Sequence, residues 1–517
     1  MGKSVDNTST KLVGVIDIGS TAIRLVIAEI DRKGEWKRLD RAIRPVPLGR
    51  DVFLNGVISR ETFQLCLRVL SGFAELLEGW KISQDNVRVV ATAAIREARN
   101  RDMFIDRVRL RTGFKVDVIE GIEENHLTYL AVQHAIKNLK KDIARTNTLI
   151  IEVGGGTTEL MLMRRGKMVS AHSLRIGTVR IQQHLSPDSE SYSNVEGYIR
   201  EHLRNMQELL EVEFDLSRVK YFVSVGGDVR LAAEKVGKKV HEHYSIIKKE
   251  AFLEFVDRLK HCTVDECVRI LQVTYNEAEG LVSALLVVKY FLTATAAEFL
   301  IVPDVSIREG VLLSFALDTS RAVGEQFYSQ VVASAVSLGR KYHFDEPHSL
   351  HVAYLAVQLF DQLKEEHGLD NHARLLLEAS AILHDIGNFI STARHHKHGQ
   401  YIIANSEMFG YSRGDLRIIS NIVRYHRKAF PLLAHPAFVA LGREDRMRVL
   451  KLASILRLAD GLDRGHAQRI RNVRVEKRDD EILLEMDFSG NPQVERAGFR
   501  LKSDMFEEVF GYTVRIA

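Results

Sequence analysis

Ile150-Ile151-Glu152-Val153-Gly154-Gly155-Gly156-Thr157-Thr158-Glu159 decides the fold, because its pattern has already occurred once, as Val15-Ile16-Asp17-Ile18-Gly19-Ser20-Thr21. Each copy is an apolar strand ending in a carboxylate. Gly and hydroxyl residues follow, and then a second apolar strand, Leu25-Val26-Ile27 or Leu160-Met161-Leu162. Glycines at such a turn let backbone N–H groups approach an anion closely. One copy is weak evidence, since glycine hairpins also serve plain turn geometry. The recurrence of the same strand-turn-strand unit predicts a duplicated domain with a ligand cleft between its halves.

Composition limits what surrounds these units. A chain of 517 residues exceeds what one hydrophobic core supports, so roughly three domains are expected. It is 45% hydrophobic and 27% charged, with a net charge of +4, too small for a dedicated nucleic-acid binder. Arg-rich stretches, Arg96 to Arg111 and Arg164-Arg165, are local exceptions. Cys66, Cys262 and Cys267 lack metal or redox spacing and read as reduced thiols. The segment Met1 to Lys11 is polar and lacks the apolar core of a signal peptide, which argues for a cytoplasmic protein. The longest apolar stretch, Leu281 to Val302, is interrupted by Lys289 and Glu298 and reads as a buried helix followed by a strand, not a membrane span.

Along the chain, strands are expected at Leu12 to Asp17, Leu25 to Ile30, Val87 to Ala91 and Val116 to Ile119, alternating with helices such as Glu61 to Leu77. Tyr221 to Gly227 is a further strand entering a Gly turn. From about Ser320 to Asp463 the pattern is helix after helix, and beyond Arg471 it returns to strands.

The duplicated motifs resemble the exopolyphosphatase and guanosine pentaphosphate phosphatase family, within the superfold of actin, sugar kinases and heat-shock ATPases. The resemblance runs from about Lys11 to Leu317 and includes Ala91 to Asn100, Gly121-Ile122-Glu123-Glu124 and Arg308-Glu309-Gly310. It implies an α/β fold built on a duplicated actin-like, ribonuclease H-like domain pair. The expected division is subdomain I over 1–125 and about 303–318, subdomain II over 126–302, an all-α domain over 319–470, and a small β-rich C-terminal subdomain over 471–517.

Hydrolysis of a phosphoanhydride needs N–H donors, charge neutralisation and a carboxylate base. Gly19, Ser20, Thr21, Gly154, Gly155, Gly156, Thr157 and Thr158 are the candidate phosphate donors, with Arg96 on the phosphate oxygens. Asp17, Glu152 and Glu159 are candidates to hold Mg²⁺, mostly through waters. The resemblance implies Glu123 as the catalytic base, with Glu124 its direct competitor. By residue type alone, Glu123 is equally an acid favoured at a helix N-terminus, and Arg96 a surface partner of Glu97. Glu152 stands where the family usually has Asp.

A second constellation lies in the helical region, where eleven of twenty His fall between His343 and His435. His348 to Ala353, Leu383-His384-Asp385-Ile386-Gly387 and Leu456 to Asp463 resemble the HD phosphohydrolase superfamily. That resemblance implies a divalent metal (Mn, Fe, Mg or Zn) on His348, His384, Asp385 and Asp460. His398 and His426 are the candidates for a second ion, with His395 and His396 competing with His398. A domain kept for dimerisation or substrate binding without metal is the alternative.

The resulting expectation is a cytoplasmic exopolyphosphatase that releases terminal phosphate from inorganic polyphosphate with Mg²⁺, as a homodimer without nucleic-acid or membrane partners. Removal of the 5′-terminal phosphate of guanosine pentaphosphate is the alternative substrate reading. A non-catalytic sensor of polyphosphate or alarmone, with the helical domain as its output, is the alternative from another class.

Overall fold

The computed structural model describes residues 10–31, 35–184, 193–317, 321–428 and 430–516. Most of the polar N-terminal segment, and the expected boundary at 318–319, lie outside these residues. The chain divides into two compact units, Met1–Phe327 and Tyr328–Ala517.

The first unit contains two sheets of matching topology. In the first sheet, β1 (Lys11–Ile18), β2 (Ala22–Ile30), β3 (Trp36–Pro45), β4 (Val87–Ala91) and β5 (Val116–Val118) lie in the order β3-β2-β1-β4-β5. The second sheet is built from β6 (Asn147–Val153), β7 (Thr158–Arg164), β8 (Lys167–Leu174), β9 (Val219–Val225), β10 (Lys238–His241), β11 (Tyr244–Lys248) and β12 (Phe299–Pro303). Its order β8-β7-β6-β9-β12 repeats the first, with β11 and β10 added at one edge. In both sheets the first three strands are antiparallel neighbours and the next two run parallel to the first strand. This is the duplicated α/β, actin-like architecture.

The central strands are nearly continuous runs of Val, Ile and Leu because helices cover both of their faces. Helix Arg60–Gly79 shows how one cover forms. Ser59 caps it by accepting the Thr62 N–H at 3.2 Å, and Thr62, Cys66, Leu70, Phe73 and Leu77 make its buried stripe. Helix Ile307–Leu317 returns to the first sheet, where Ile307, Val311 and Leu312 pack with Val13, Val15 and Val26. Leu281 to Val302 folds as the buried end of helix Tyr275–Thr293 followed by β12. Among the described residues no helix is long and apolar enough to cross a membrane.

The expected strands omitted β3 and β8. β3 is mostly exposed and carries Lys37, Arg38, Asp40, Arg41 and Arg44, so it lacks the apolar alternation that marks a half-buried strand. Its nine-position register with β2 is what makes it a strand.

The second unit begins within helix Arg321–Lys341 and consists mainly of helices Glu346–Gln362, Asn371–Leu383, His395–Ala404, Arg413–Tyr425 and Arg443–Leu462. A sheet of β13 (Ile470–Arg478), β14 (Glu481–Phe488) and β15 (Thr513–Ile516) belongs to the same unit. Gln358 Oε1 accepts the Val473 N–H at 3.0 Å and Gln362 Oε1 the Val475 N–H at 2.9 Å, which fastens the sheet to a helix by its own backbone.

Candidate functional site

The two glycine turns meet in the first unit. A Cβ on Gly155 would lie 3.0 Å from Ser20 Cβ and 3.3 Å from Thr21 Cγ2, so only glycine permits this approach without displacing a neighbour. Each loop is closed internally: Gly19 N–H donates to Ala22 O at 3.1 Å and Gly154 N–H to Thr157 O at 2.8 Å. These two N–H groups are therefore committed to turn geometry. The N–H groups of Ser20, Thr21, Gly155, Gly156 and Thr157 enter none of these backbone bonds and are the donors available to an anion. The fully buried hydroxyl of Thr158, another expected phosphate donor, donates to Ile176 O at 2.6 Å.

Acidic groups crowd the same cleft. Glu152 and Glu159 face each other across the β6–β7 register, as Asp17 and Arg24 do across β1–β2. Thr128 donates its hydroxyl to Glu152 Oε2 at 2.6 Å, and Glu159 accepts from Asn125 Nδ2 at 2.9 Å and Ser173 Oγ at 2.7 Å. Burial raises the pKa of both glutamates, against the opposing pull of these hydroxyls.

Glu123 and Glu124 separate clearly. Glu123 Oε2 accepts the Glu120 N–H at 2.9 Å in a capping box, which fixes the start of helix Gly121–Ala135. The carboxylate expected as the base is therefore engaged at the helix start. Glu124, one residue on, faces the cleft with its Oε2 3.8 Å from Arg96 Nη1. Burial raises its pKa well above the ordinary glutamate range, and the charges of Glu159 and Glu152 add to the rise while Arg96 opposes it. Its Oε2 is buried with no hydrogen-bond partner.

Sequence reasoning missed most of the cations. Asp17 Oδ2 is 3.1 Å from Arg308 Nη1 and 3.8 Å from Arg24 Nη1. Arg180 Nε donates to Gly156 O at 2.8 Å and its Nη2 reaches Glu97 Oε2 at 2.5 Å, with the guanidinium 4.0 Å from the Phe53 ring centre. Arg96 is itself anchored by donating to Ile119 O at 2.7 Å. The hairpin register of β1 and β2 is a signal that points to Arg24; Arg308 lies in a quoted motif, without any hint of its partner.

A divalent cation suits this cleft on chemical grounds. Glu124, Glu152 and Glu159 are carboxylates whose charged forms are disfavoured by burial and, for Glu124, by each other. Hard oxygen donors in this state are what Mg²⁺ takes, with waters completing its shell. Among the described residues their oxygens do not close into a tight three-ligand group.

In the second unit, turns at helix ends gather the histidines. His348 lies in the first turn of Glu346–Gln362, His384 and His426 follow directly on helices Asn371–Leu383 and Arg413–Tyr425, and Asp460 sits within Arg443–Leu462. Gly387 brings the His384-Asp385 turn against helix His395–Ala404, since a Cβ there would lie 2.0 Å from His395 O.

Among the described residues three ligand groups result, His348 with His384 and Asp460, His348 with Asp385 and His466, and Asp385 with His395 and His426, each with donor atoms within 4.8 Å of one another. His395 Nε2 is 3.0 Å from Asp385 Oδ1 and 3.3 Å from His426 Nε2. His398, an expected candidate for a second ion, joins none of these groups, whereas its competitor His395 does. Nδ1 of His348 is held by Asp463 Oδ2 at 2.9 Å, that of His384 by Ala381 O at 2.7 Å and that of His426 by Val423 O at 2.6 Å. Each acceptor fixes the proton on Nδ1 and turns a lone pair on Nε2 inward, the arrangement that metal-ligating imidazoles require. Burial also holds His384 neutral, at a pKa of about 4. Lys502 Nζ bonds Asp460 Oδ2, a cation at the rim that sequence reasoning missed.

Matched glycine loops and an acid-lined cleft, on a duplicated actin-like domain, define a phosphohydrolase of the phosphate-clamping class. The chain belongs to the Ppx/GppA phosphatase family, whose description matches residues 26–319, and the family's domain III matches residues 332–496. It is 26% identical over 464 residues to a guanosine-5'-triphosphate,3'-diphosphate pyrophosphatase of Pseudoalteromonas atlantica, covering 88% of this chain and 86% of that one. The crystal structure of the Aquifex aeolicus Ppx/GppA family member is 27% identical with a TM-score of 0.50, covering 60% of this chain and 99% of that one. An exopolyphosphatase from Cytophaga hutchinsonii shares the fold at 21% identity and a TM-score of 0.53, again covering 60% of this chain and 99% of that one.

Proposed function

We propose that the cleft hydrolyses the terminal phosphoanhydride of inorganic polyphosphate and releases orthophosphate. The observation that carries this reading is the meeting of Gly155 with Ser20, which brings together two glycine loops whose Ser20, Thr21, Gly155, Gly156 and Thr157 N–H groups enter none of the loops' backbone bonds. The donors and Arg96 bind and orient the terminal phosphoryl group. Glu124 takes the proton of the attacking water at its carboxylate, a role suited to a base whose pKa lies above the usual glutamate range. Asp17, Glu152 and Glu159 are the residues that would hold Mg²⁺, and Mg²⁺ when bound neutralises charge developing on the phosphoryl oxygens. Arg308 and Arg24 orient Asp17, and Thr128 orients Glu152.

Removal of the 5′-terminal phosphate of guanosine pentaphosphate is a second reading, favoured by the name of the Pseudoalteromonas atlantica relative. We also read the histidine centre as a divalent metal site, on the inward Nε2 lone pairs of His348, His384 and His426. A cytoplasmic homodimer is part of the same proposal and is tested by sedimentation of the full chain.

The test is Mg²⁺-dependent phosphate release from long-chain polyphosphate and from guanosine pentaphosphate, using the parent, Glu124→Gln and His384→Ala/Asp385→Ala. Loss with Glu124→Gln alone supports the cleft, and the faster substrate decides between the two readings. Release that survives Glu124→Gln and vanishes with the histidine-centre variant overturns the cleft reading.

A further inference from the structure

We propose that a basic depression at the far end of the β6–β7 hairpin is a second binding site for an inorganic polyphosphate chain. The choice of polyphosphate as ligand rests on the reading above, whereas the site stands on its own geometry. The depression encloses about 600 Å³ and is lined by Arg145, Arg164, Arg165, Arg218 and Lys220 with a single acid, Asp215. Five cations against one acid give this wall alone a local excess of four positive charges, as large as the net charge of +4 on the whole chain.

Three separate elements bring these cations together. Arg145 precedes β6, Arg164 and Arg165 form the β7–β8 turn, and Arg218 and Lys220 flank the start of β9. Asp215 is already engaged by Arg218 at 2.9 Å, and the Arg164 guanidinium lies 5.7 Å from the Phe214 ring centre. Among the described residues no carboxylate pairs with Arg145, Arg165 or Lys220. Three uncompensated cations thus share one depression, which is the electrostatic footprint of a polyanion site.

The turn itself is an independent observation. Arg165 has φ +50° and Gly166 φ +74°, the two-residue geometry that favours Asn-Gly and disfavours a long L side chain at its first position. The Arg165 N–H donates to Thr146 O at 2.9 Å, so the loop is fastened to the strand that opens the depression. An arginine held there at conformational cost fits a role for its guanidinium, whose planar fork matches phosphate oxygens.

An unbranched phosphate chain fits better than a nucleotide. No exposed aromatic side chain lines the depression to stack a base, since Phe214 is 1% exposed and lies beneath Arg164. Asn147, at this end of β6, is five positions from Glu152 in the cleft, or about 17 Å at the usual rise of a strand. The site is therefore separate from the loops that hold the terminal phosphate, and it selects for length of chain.

The test uses the full chain in a Glu124→Gln background, so that binding is read whether or not the cleft is catalytic. Binding of long-chain polyphosphate is titrated against salt for this protein and for one also carrying Arg145→Gln/Arg165→Asn/Lys220→Gln, in which Asn suits the turn. Affinity is expected to fall at least tenfold, with the slope of log K against log salt shallower by about 2. In the Glu124 parent, the three substitutions are expected to leave phosphate release from inorganic triphosphate unchanged, which also shows that the fold persists. Unchanged polyphosphate affinity or slope overturns the site. An equal loss for single-stranded RNA of matched phosphate number, or for guanosine pentaphosphate, overturns the assignment to a phosphate chain.

Discussion

His348 and His384 bring their Nε2 atoms within 3.2 Å of each other while both Nδ1 protons are spent elsewhere, on Asp463 and on Ala381 O. Two lone pairs so placed repel unless a cation lies between or beside them. Addition of Mn²⁺ or Zn²⁺ to the full chain is therefore expected to raise Tm, since an ion that binds only the folded state stabilises by about 2.7 kcal/mol at a hundredfold excess over Kd. His395→Ala is expected to abolish part of this shift and His398→Ala to leave it intact. Asp463→Asn is expected to weaken metal binding roughly 10- to 100-fold by releasing the His348 tautomer. A metal titration by calorimetry that finds no binding to the parent removes the assignment.

Glu123 and Glu124 divide structure from chemistry. Glu124→Gln is expected to lower kcat by roughly 10²- to 10⁴-fold, the usual worth of a positioned base. Glu123→Gln is expected to spare kcat and to cost at most about 1 kcal/mol of stability, because Gln also serves in a capping box. Steady-state kinetics beside thermal melts separates them, and the reverse ranking returns the base to Glu123.

The sign of the pH dependence follows from the burial of Glu124. Its raised pKa means that the carboxylate form is lost at a higher pH than for an exposed glutamate. The acid limb of kcat/KM is expected to lie above pH 4.5, with activity falling as pH falls through it. An acid limb at the ordinary value in a full pH–rate profile would contradict a buried base.

Much of this site was legible because two local patterns carry it. β1–β2 and β6–β7 announce themselves as apolar strands around a Gly turn, and recurrence raises a weak motif to a duplicated domain. The choice between Glu123 and Glu124 was beyond such patterns. Adjacent helix positions point about 100° apart, so the exact capping register decides which acid enters the cleft. His395 and His398 share one helix face, and the close approach at Gly387 selects His395. The pairing of Arg308 with Asp17 spans 291 positions, and no local signal reports such a contact.

Gly155 should tolerate no side chain. Gly155→Ala sets a Cβ 3.0 Å from Ser20 Cβ and 3.3 Å from Val179 Cγ2, so the two loops must part by some tenths of an ångström. Phosphate release is expected to fall at least tenfold with little change in Tm. Gly72 is exposed within a helix with nothing near its Cβ, and Gly72→Ala is expected to stabilise by about 0.5–1 kcal/mol without touching activity. Equal activity in both variants would dismiss the loop contact.

Thr128 tests the unusual Glu152. Its hydroxyl donates to Glu152 Oε2 at 2.6 Å and lowers a pKa that burial has raised. Thr128→Val removes the donor and leaves a buried carboxylate short of a partner, at a cost of about 1–3 kcal/mol. The pKa of Glu152 then rises further, so less of it is ionised as pH falls. If Glu152 helps hold Mg²⁺, the Mg²⁺ concentration for half-maximal activity must increase in the variant, and more at pH 6 than at pH 8, because protons and the cation compete for one carboxylate. An increase that is the same at both pH values would assign Thr128 to packing alone, and no increase at either would take Glu152 out of the metal site.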